Sequence, residues 1–317
     1  MRITNMMMVN NAIQNMNDNQ EKLSKLQTKV ATQKQFQTAS ENPVNASASL
    51  SLRSNMRTLE SYSDTAAATS NWMNTSDFAL NQLEEIGVQA SKLILRGLND
   101  SLSASERFVS LATEMNSLIE KAVEIGNTSV NGQFIFSGYK VDQKAFELVD
   151  SPTTILDYQG NTVTPKVVNY LGDQGSMQRN LGPDQSVTMN VRGDQAIQGF
   201  IENLISASNA LIQNNIHGTS VPPAAPTLQE TLTGVKSSAD IVNQYRTSNG
   251  ARMRQVESAS NFLETVKIET ANLLSQKEDT NMAEGIALLS NQQTTYQAVL
   301  EVSQRAISAL SLFDYMR

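Results

Sequence analysis

The sequence predicts a mainly α protein made of long antiparallel helices, with terminal coiled-coil helices and a β-rich inserted domain. Three observations carry that reading. Apolar residues recur at alternating spacings of three and four at both ends of the chain. Short β-branched and aromatic runs, punctuated by Gly, Pro, Asn and Asp, fill the middle. Two breaks in the helical pattern lie at comparable distances from the two ends, which separates a terminal unit from an inner one.

The first helix carries Met6, Val9, Ile13, Met16, Leu23 and Val30, with Gln20 and Gln27 filling two positions of the same stripe. The last helix repeats the design with Met282, Ile286, Leu289, Tyr296, Leu300, Ile307 and Leu310, and with Gln293 and Ser303 as its polar members. A stripe this narrow hardly stabilises a lone helix, because helix stability in proteins comes from packing the apolar face. Both termini are therefore expected to be loose in the free monomer and ordered on assembly. The expected assembly interface is Met6, Val9, Ile13, Met16, Leu23, Val30, Ile286, Leu289, Tyr296, Leu300, Ile307 and Leu310.

Inward of the first helix, Thr38 to Asn45 reads as a linker, since Pro43 lacks a backbone donor and pushes Asn42 out of the helical region. Inward of the last helix, Asp279, Thr280 and Asn281 can each cap a new start, with Glu284 three residues after Asn281. Residues 44–98 are helical in pattern. Ser103 with Glu106 is a capping box that opens a helix to about Ile125, which Gly126 ends. The β-rich runs occupy 133–191, and a helix follows from about Ile197 to Asn214. Pro222, Pro223 and Pro226 then mark an exposed connection. A long helix is expected from about Thr227 to Gln276, with Asn249-Gly250 as a weak point. The expected domains are discontinuous: 1–37 with 282–317 as a terminal coiled-coil unit, 38–132 with 227–281 as a helical body, and 133–226 as the insert.

Composition narrows the function. Apolar residues make up 39% and charged residues only 17%, which describes a folded chain with a mostly neutral polar surface. Net charge is −7, with no run of consecutive Lys or Arg, so neither nucleic acid nor an anionic membrane surface is an expected partner. No stretch approaches the ~20 apolar residues that span a bilayer, and Met1 to Asn10 does not read as a cleaved secretory signal.

Few residues could carry chemistry. Cysteine is absent, and the single histidine, His217, lies in a loop without a Ser or Asp motif and reads as a surface imidazole. One His and no Cys cannot build a zinc site of the usual ligand types. The acidic pairs Glu84-Glu85 and Glu278-Asp279 are adjacent, so their side chains diverge by about 100° on a helix; solvated faces and caps explain them. Gly172, Gly175, Gly182 and Gly193 lack the strand-to-helix context of a phosphate loop and read as turn residues. Trp72 reads as core or subunit interface. No cofactor, no metal and no enzymatic activity are expected.

Specific stretches carry a resemblance. M-R-I-T-N-M-M-M (1–8), A-T-Q-K-Q-F-Q-T-A-S-E-N-P-V-N-A-S (31–47) and E-D-T-N-M-A-E-G-I-A-L-L-S-N-Q-Q-T-T-Y-Q-A-V-L (278–300) resemble the terminal regions of the bacterial flagellin family. N-G-Q-F-I-F-S-G-Y (131–139), and Y-L-G-D (170–173) ahead of V-R-G-D (191–194), are similar to the junction-protein branch of that family. Gln35-Phe36-Gln37 and Glu41-Asn42 depart from the basic turn and acidic pair usual there, and Gly285 weakens the last helix by ~1 kcal/mol relative to Ala. The resemblance implies a structural adaptor between the flagellar hook and filament. It would be assembled as a ring of copies through its terminal helices and lie outside the cell after export by the flagellar apparatus without a cleaved signal. Its implied partners are itself, a neighbouring hook-associated protein on the hook side, flagellin on the filament side and a cytoplasmic export chaperone. Two alternatives remain at this point: a flagellin filament subunit, and a surface binding module, which would need an aromatic or acidic pocket in 140–195.

Overall fold

The computed structural model describes residues 2–99, 101–216 and 226–315, with 2–6, 8 and 306–315 described in backbone only. His217, Pro222 and Pro223 lie outside the described residues. The protein is mainly α. In chain order the helices are α1 (Arg2–Thr32), α2 (Pro43–Gly97), α3 (Ala104–Glu106), a π-helical turn (Arg107–Leu111), α4 (Ala112–Gly126), α5 (Gly193–Ala196), α6 (Gln198–Ile212), α7 (Leu228–Glu278) and α8 (Met282–Tyr315). Eight short strands lie between α4 and α5: β1 (Ser129–Val130), β2 (Gln133–Phe134), β3 (Phe146–Asp150), β4 (Ile155–Leu156), β5 (Thr162–Val163), β6 (Lys166–Tyr170), β7 (Gln178–Asn180) and β8 (Ser186–Thr188).

The chain forms two compact units, Met1–Glu60 with Thr265–Arg317 and Ser61–Glu264. In the second unit, the central parts of α2 and α7 run antiparallel. Arg246 on α7 pairs with Glu84 at 2.9 Å and Asp77 at 3.4 Å, and the Asn249 side-chain amide donates to the Met73 carbonyl at 2.9 Å. Asn249-Gly250 therefore does not break α7. Asn249 is buried and bonded, and a glycine costs only ~1 kcal/mol in a helix held by packing along its length. Glu84 is likewise an ion-pair partner rather than a bare solvated group.

The main core joins Leu80, Leu83, Ile86 and Ile94 of α2 with Met115 and Ile119 of α4, Phe200, Ile201 and Leu204 of α6, and Val235 of α7. Trp72 belongs to this core at 4% exposure. The Ser103–Glu106 capping box forms as expected, with the Glu106 amide donating to Ser103 Oγ at 3.2 Å and the Ser103 amide to Glu106 Oε2 at 2.9 Å. A matching box of Thr227 and Glu230 opens α7. The helix beyond Ser103 is not uniform as the sequence suggests. Its π turn brings Arg107 inward, where the guanidinium donates to the carbonyls of Gly97 and Asn99 at 2.8 Å each and to Asn214 Oδ1 at 3.1 Å. Those two carbonyls lie at and just beyond the end of α2, where helical partners run out.

The strands form four separate two-stranded antiparallel pairs, β1–β2, β3–β6, β4–β5 and β7–β8. Asn131 and Gly132, at φ of 52° and 80°, make the tight turn between β1 and β2. The β7–β8 hairpin packs Leu181 and Val187 into a smaller core with Ala66 and Met73 of α2 and Val256 and Ala259 of α7. Gly193, read as a turn residue, opens α5 instead, and a Cβ there would meet the Phe136 carbonyl oxygen at 2.7 Å.

Candidate assembly interface in the terminal helices

Helices α1 and α8 pack against each other in the first unit. Apart from Lys29 and Leu300 at the edge of the contact, half-buried residues on α1 fall at Val9, Ala12, Met16, Asn19, Leu23, Leu26 and Val30; on α8 they fall at Met282, Leu289, Gln292, Tyr296 and Val299, with Gly285 and Ser303 buried. Both series alternate steps of three and four, the period of a coiled-coil seam. The direction is antiparallel, since Gln292 Nε2 donates to Asn19 Oδ1 at 3.0 Å while Gly285 lies beside Val30, whose Cγ2 is 3.4 Å from where a glycine Cβ would stand.

Of the residues expected at the interface, Val9, Met16, Leu23, Val30, Leu289 and Tyr296 lie in this seam and Leu300 is half-buried beside it. Ile13 and Ile286 point away, at 43% and 54% exposure. Gln20, Gln27 and Gln293 are exposed as well. The side chains of Met6, Ile307 and Leu310 lie outside the described residues. Small and polar residues take the alternate seam positions: Ala12 and Gly285 allow close approach, and Asn19 and Gln292 satisfy each other. Reading for apolar side chains alone passes over all four. The face turned outward carries Met7, Ile13, Ile286, Leu288 and Val302, all exposed.

Capping at the helix starts follows local chemistry. Asn42 Oδ1 accepts the Asn45 amide at 3.1 Å with Pro43 at the first helical position of α2. Asn281 Oδ1 accepts the Ala283 amide at 3.1 Å at the start of α8.

The linkers meet in a clasp that the sequence does not suggest. The Gln35 amide donates to the Glu278 carbonyl at 2.6 Å and the Thr280 amide to the Gln33 carbonyl at 2.9 Å. Glu278 is 5% exposed. Its carboxylate accepts from Arg53 Nε at 2.8 Å and Nη2 at 2.6 Å, with Lys34 Nζ at 3.1 Å. Lys34 also binds Asp279 at 2.7 Å, and Ser275 Oγ donates to Asp279 at 2.6 Å. The Arg53 guanidinium holds the Glu278 carboxyl below the usual carboxylate range against the opposing effect of burial, and Lys34 does the same for Asp279. The expectation of a solvated face and cap at Glu278-Asp279 is thus corrected: Glu278 is a buried, doubly paired charge. Its partners lie 225 and 244 positions away in sequence (278 − 53 and 278 − 34), so no local pattern announces them.

Among the described residues no group of three acidic or histidine side chains could hold a metal ion, and no helix is long and apolar enough to cross a membrane.

Residues 3–141 match the family described as the bacterial flagellin N-terminal helical region. The chain is 22% identical to flagellar hook-associated protein 3 of Escherichia coli (strain K12), covering 99% of each chain. It is 23% identical to the Salmonella typhimurium protein of the same name over 81% of each. A flagellin of Clostridium tyrobutyricum is 28% identical over 51% of this chain and 42% of that one. In fold the chain is similar to a flagellar hook-associated protein from Vibrio parahaemolyticus, with a TM-score of 0.61, 16% identity, and coverage of 75% of this chain and all of that one. It is also similar to the hook-associated protein-3 of Legionella pneumophila, with a TM-score of 0.54, 13% identity, and coverage of 71% and 97%. The helical ends and the strand-bearing insert between α4 and α5 thus belong to a chain whose N-terminal part matches the bacterial flagellin N-terminal helical region and whose full length is similar to flagellar hook-associated protein 3.

Proposed function

We propose that this protein is a structural adaptor at the junction of the flagellar hook and filament, held in place by its terminal helices as a ring of copies. The observation that carries the reading is similarity along 99% of both chains to a protein named for association with the hook. The likeness to a flagellin covers only about half of this chain. The α1–α8 pair supports the mode of assembly, because it gathers an apolar seam inside and leaves Ile13, Ile286, Leu288 and Val302 outside for neighbouring copies. The partners in this reading are further copies, a hook-associated protein on one side, flagellin on the other and an export chaperone in the cytoplasm. The chain would leave the cell through the flagellar export apparatus, without a cleaved signal, and have no catalytic role.

Deleting the gene and imaging the cells tests this reading. Bare hooks with flagellin monomers shed into the medium are expected, and re-expression of the parent restores filaments. A variant carrying Leu300→Asp and Ile307→Asp is expected to be made and folded in its inner unit yet fail to restore them. Normal filaments on deletion would remove the adaptor role; loss of the filament protein itself would favour the flagellin reading. Filaments restored by the double variant would disprove assembly through α8.

A further inference from the structure

Asparagine followed by glycine occurs twice in the chain, at Asn131-Gly132 and Asn249-Gly250, and the fold treats the two pairs oppositely. We propose that the first is a modification site, at which the Asn131 side-chain amide converts without an enzyme to a carboxylate. In this reaction the backbone nitrogen of the following residue loses its proton and attacks the side-chain carbonyl carbon. A nitrogen–carbon bond forms, the bond from that carbon to the side-chain nitrogen breaks, and ammonia leaves carrying the proton. Water then opens the cyclic imide at either carbonyl, giving aspartate or isoaspartate. Glycine in the second position leaves the attack least hindered, because no side chain flanks the nitrogen.

Asn131 and Gly132 form the whole loop between β1 and β2, at φ of 52° and 80°, and both are exposed. The strand pairing runs between the flanking residues, Val130 with Gln133 and Ser129 with Phe134. A two-residue loop of this kind leaves the amide of its second residue outside the ladder. A Cβ on Gly132 would meet nothing within 4 Å, so there is room for the imide ring to close. Asn249 meets none of these conditions. It is 1% exposed, its side-chain nitrogen donates to the Met73 carbonyl at 2.9 Å, and the Gly250 amide lies within the helical ladder of α7. Asn127, just before β1, is held at both ends: its side-chain nitrogen donates to the Phe146 carbonyl at 2.8 Å and its oxygen accepts the Phe146 amide at 2.9 Å. The turn is also rooted in the main core. Ile135 and Phe136 are fully buried there, the Ile135 amide donates to the Thr128 carbonyl at 3.1 Å, and the Gly193 amide donates to the Phe136 carbonyl at 3.0 Å. Aspartate at position 131 keeps the loop length. Isoaspartate adds one backbone carbon to a loop of two residues and strains a hairpin whose register that loop sets.

The test uses the purified full chain, incubated in mildly alkaline buffer and then digested with trypsin. Cleavage after Lys121, Lys140, Arg246 and Arg252 delivers the two pairs on separate peptides, 122–140 and 247–252. Mass spectrometry follows the gain that accompanies exchange of an amide for an acid. Conversion is expected to be at least about tenfold faster in 122–140 than in 247–252, since Gly250 reacts only when α7 opens. In denaturant the two rates should come together, and Asn131→Asp should abolish the gain in 122–140. Equal rates in the folded chain, or faster conversion in 247–252, would overturn the proposal. A contrast that persists in denaturant would overturn it as well, by assigning the difference to neighbouring residues rather than to the fold. So would a gain that persists in Asn131→Asp, which would place the reaction at Asn127. A chain aged to majority conversion is expected to unfold, by Trp72 fluorescence, at a lower denaturant midpoint than Asn131→Asp, which carries the charge without the extra carbon; equal midpoints would overturn the strain assigned to isoaspartate.

Discussion

Glu278 and Arg107 are both almost fully buried charges, and the chain satisfies them in opposite ways. Glu278 meets two cations, whereas the bonds of Arg107 go to two backbone carbonyls and one side-chain amide. Because Arg53 lowers the folded pKa of Glu278 below its ordinary 4.5, the stability this group contributes is fully present above that value. It is lost as the pH falls through the lower folded value, and Asp279, lowered by Lys34, adds in the same direction. The helical signal of the terminal unit should therefore melt at progressively lower temperature as the pH drops below 4.5. In Glu278→Gln that slope should flatten. Arg107 has a different consequence. Arg107→Met would leave the carbonyls at the end of α2 without donors in a buried site, at a cost of about 2–4 kcal/mol. Denaturant unfolding followed by Trp72 fluorescence measures it, and an unchanged midpoint would show that water replaces the guanidinium.

The pairing of α1 with α8 depends on residues that a search for apolar stripes undervalues. The three-and-four spacing is plain in the sequence, and Val9, Met16, Leu23, Val30, Leu289 and Tyr296 lie where it puts them. The alternate positions slip by one residue, to Ala12, Asn19 and Leu26 and to Gly285, Gln292 and Val299. Packing one helix on another rewards small residues at close approach and matched polar pairs, neither of which a hydrophobicity scale registers. The Asn19–Gln292 pair should cost stability relative to an apolar pair, as seam amides do. Asn19→Leu with Gln292→Leu is thus expected to raise the melting temperature of the terminal unit in far-UV circular dichroism, and each single substitution to lower it by stranding an amide.

Over the whole molecule, the division into two units has an experimental signature. Trp72 lies in the second unit and the α1–α8 seam in the first. The first unit rests on a narrow seam and one clasp, whereas the second has a large continuous core. Thermal unfolding should therefore show part of the far-UV helical signal lost before Trp72 emission changes. Coincident transitions would show a single cooperative unit.

By itself the sequence determined the helices, their starts and the β-rich insert. Local chemistry sets all of these: the period of apolar residues, the Ser103–Glu106 box, Asn42 before Pro43, and Gly and Asn at turns. It also carries, in residues at both ends, the resemblance to the bacterial flagellin family that the N-terminal match and the full-length similarity agree with. Tertiary structure alone decided which residue of each adjacent pair enters the seam, whether α7 survives Asn249-Gly250, and what becomes of Glu278. The physical reason is shared. Each depends on a group far away in sequence that supplies a close approach, a hydrogen bond or a countercharge, and only the folded chain brings that group within reach.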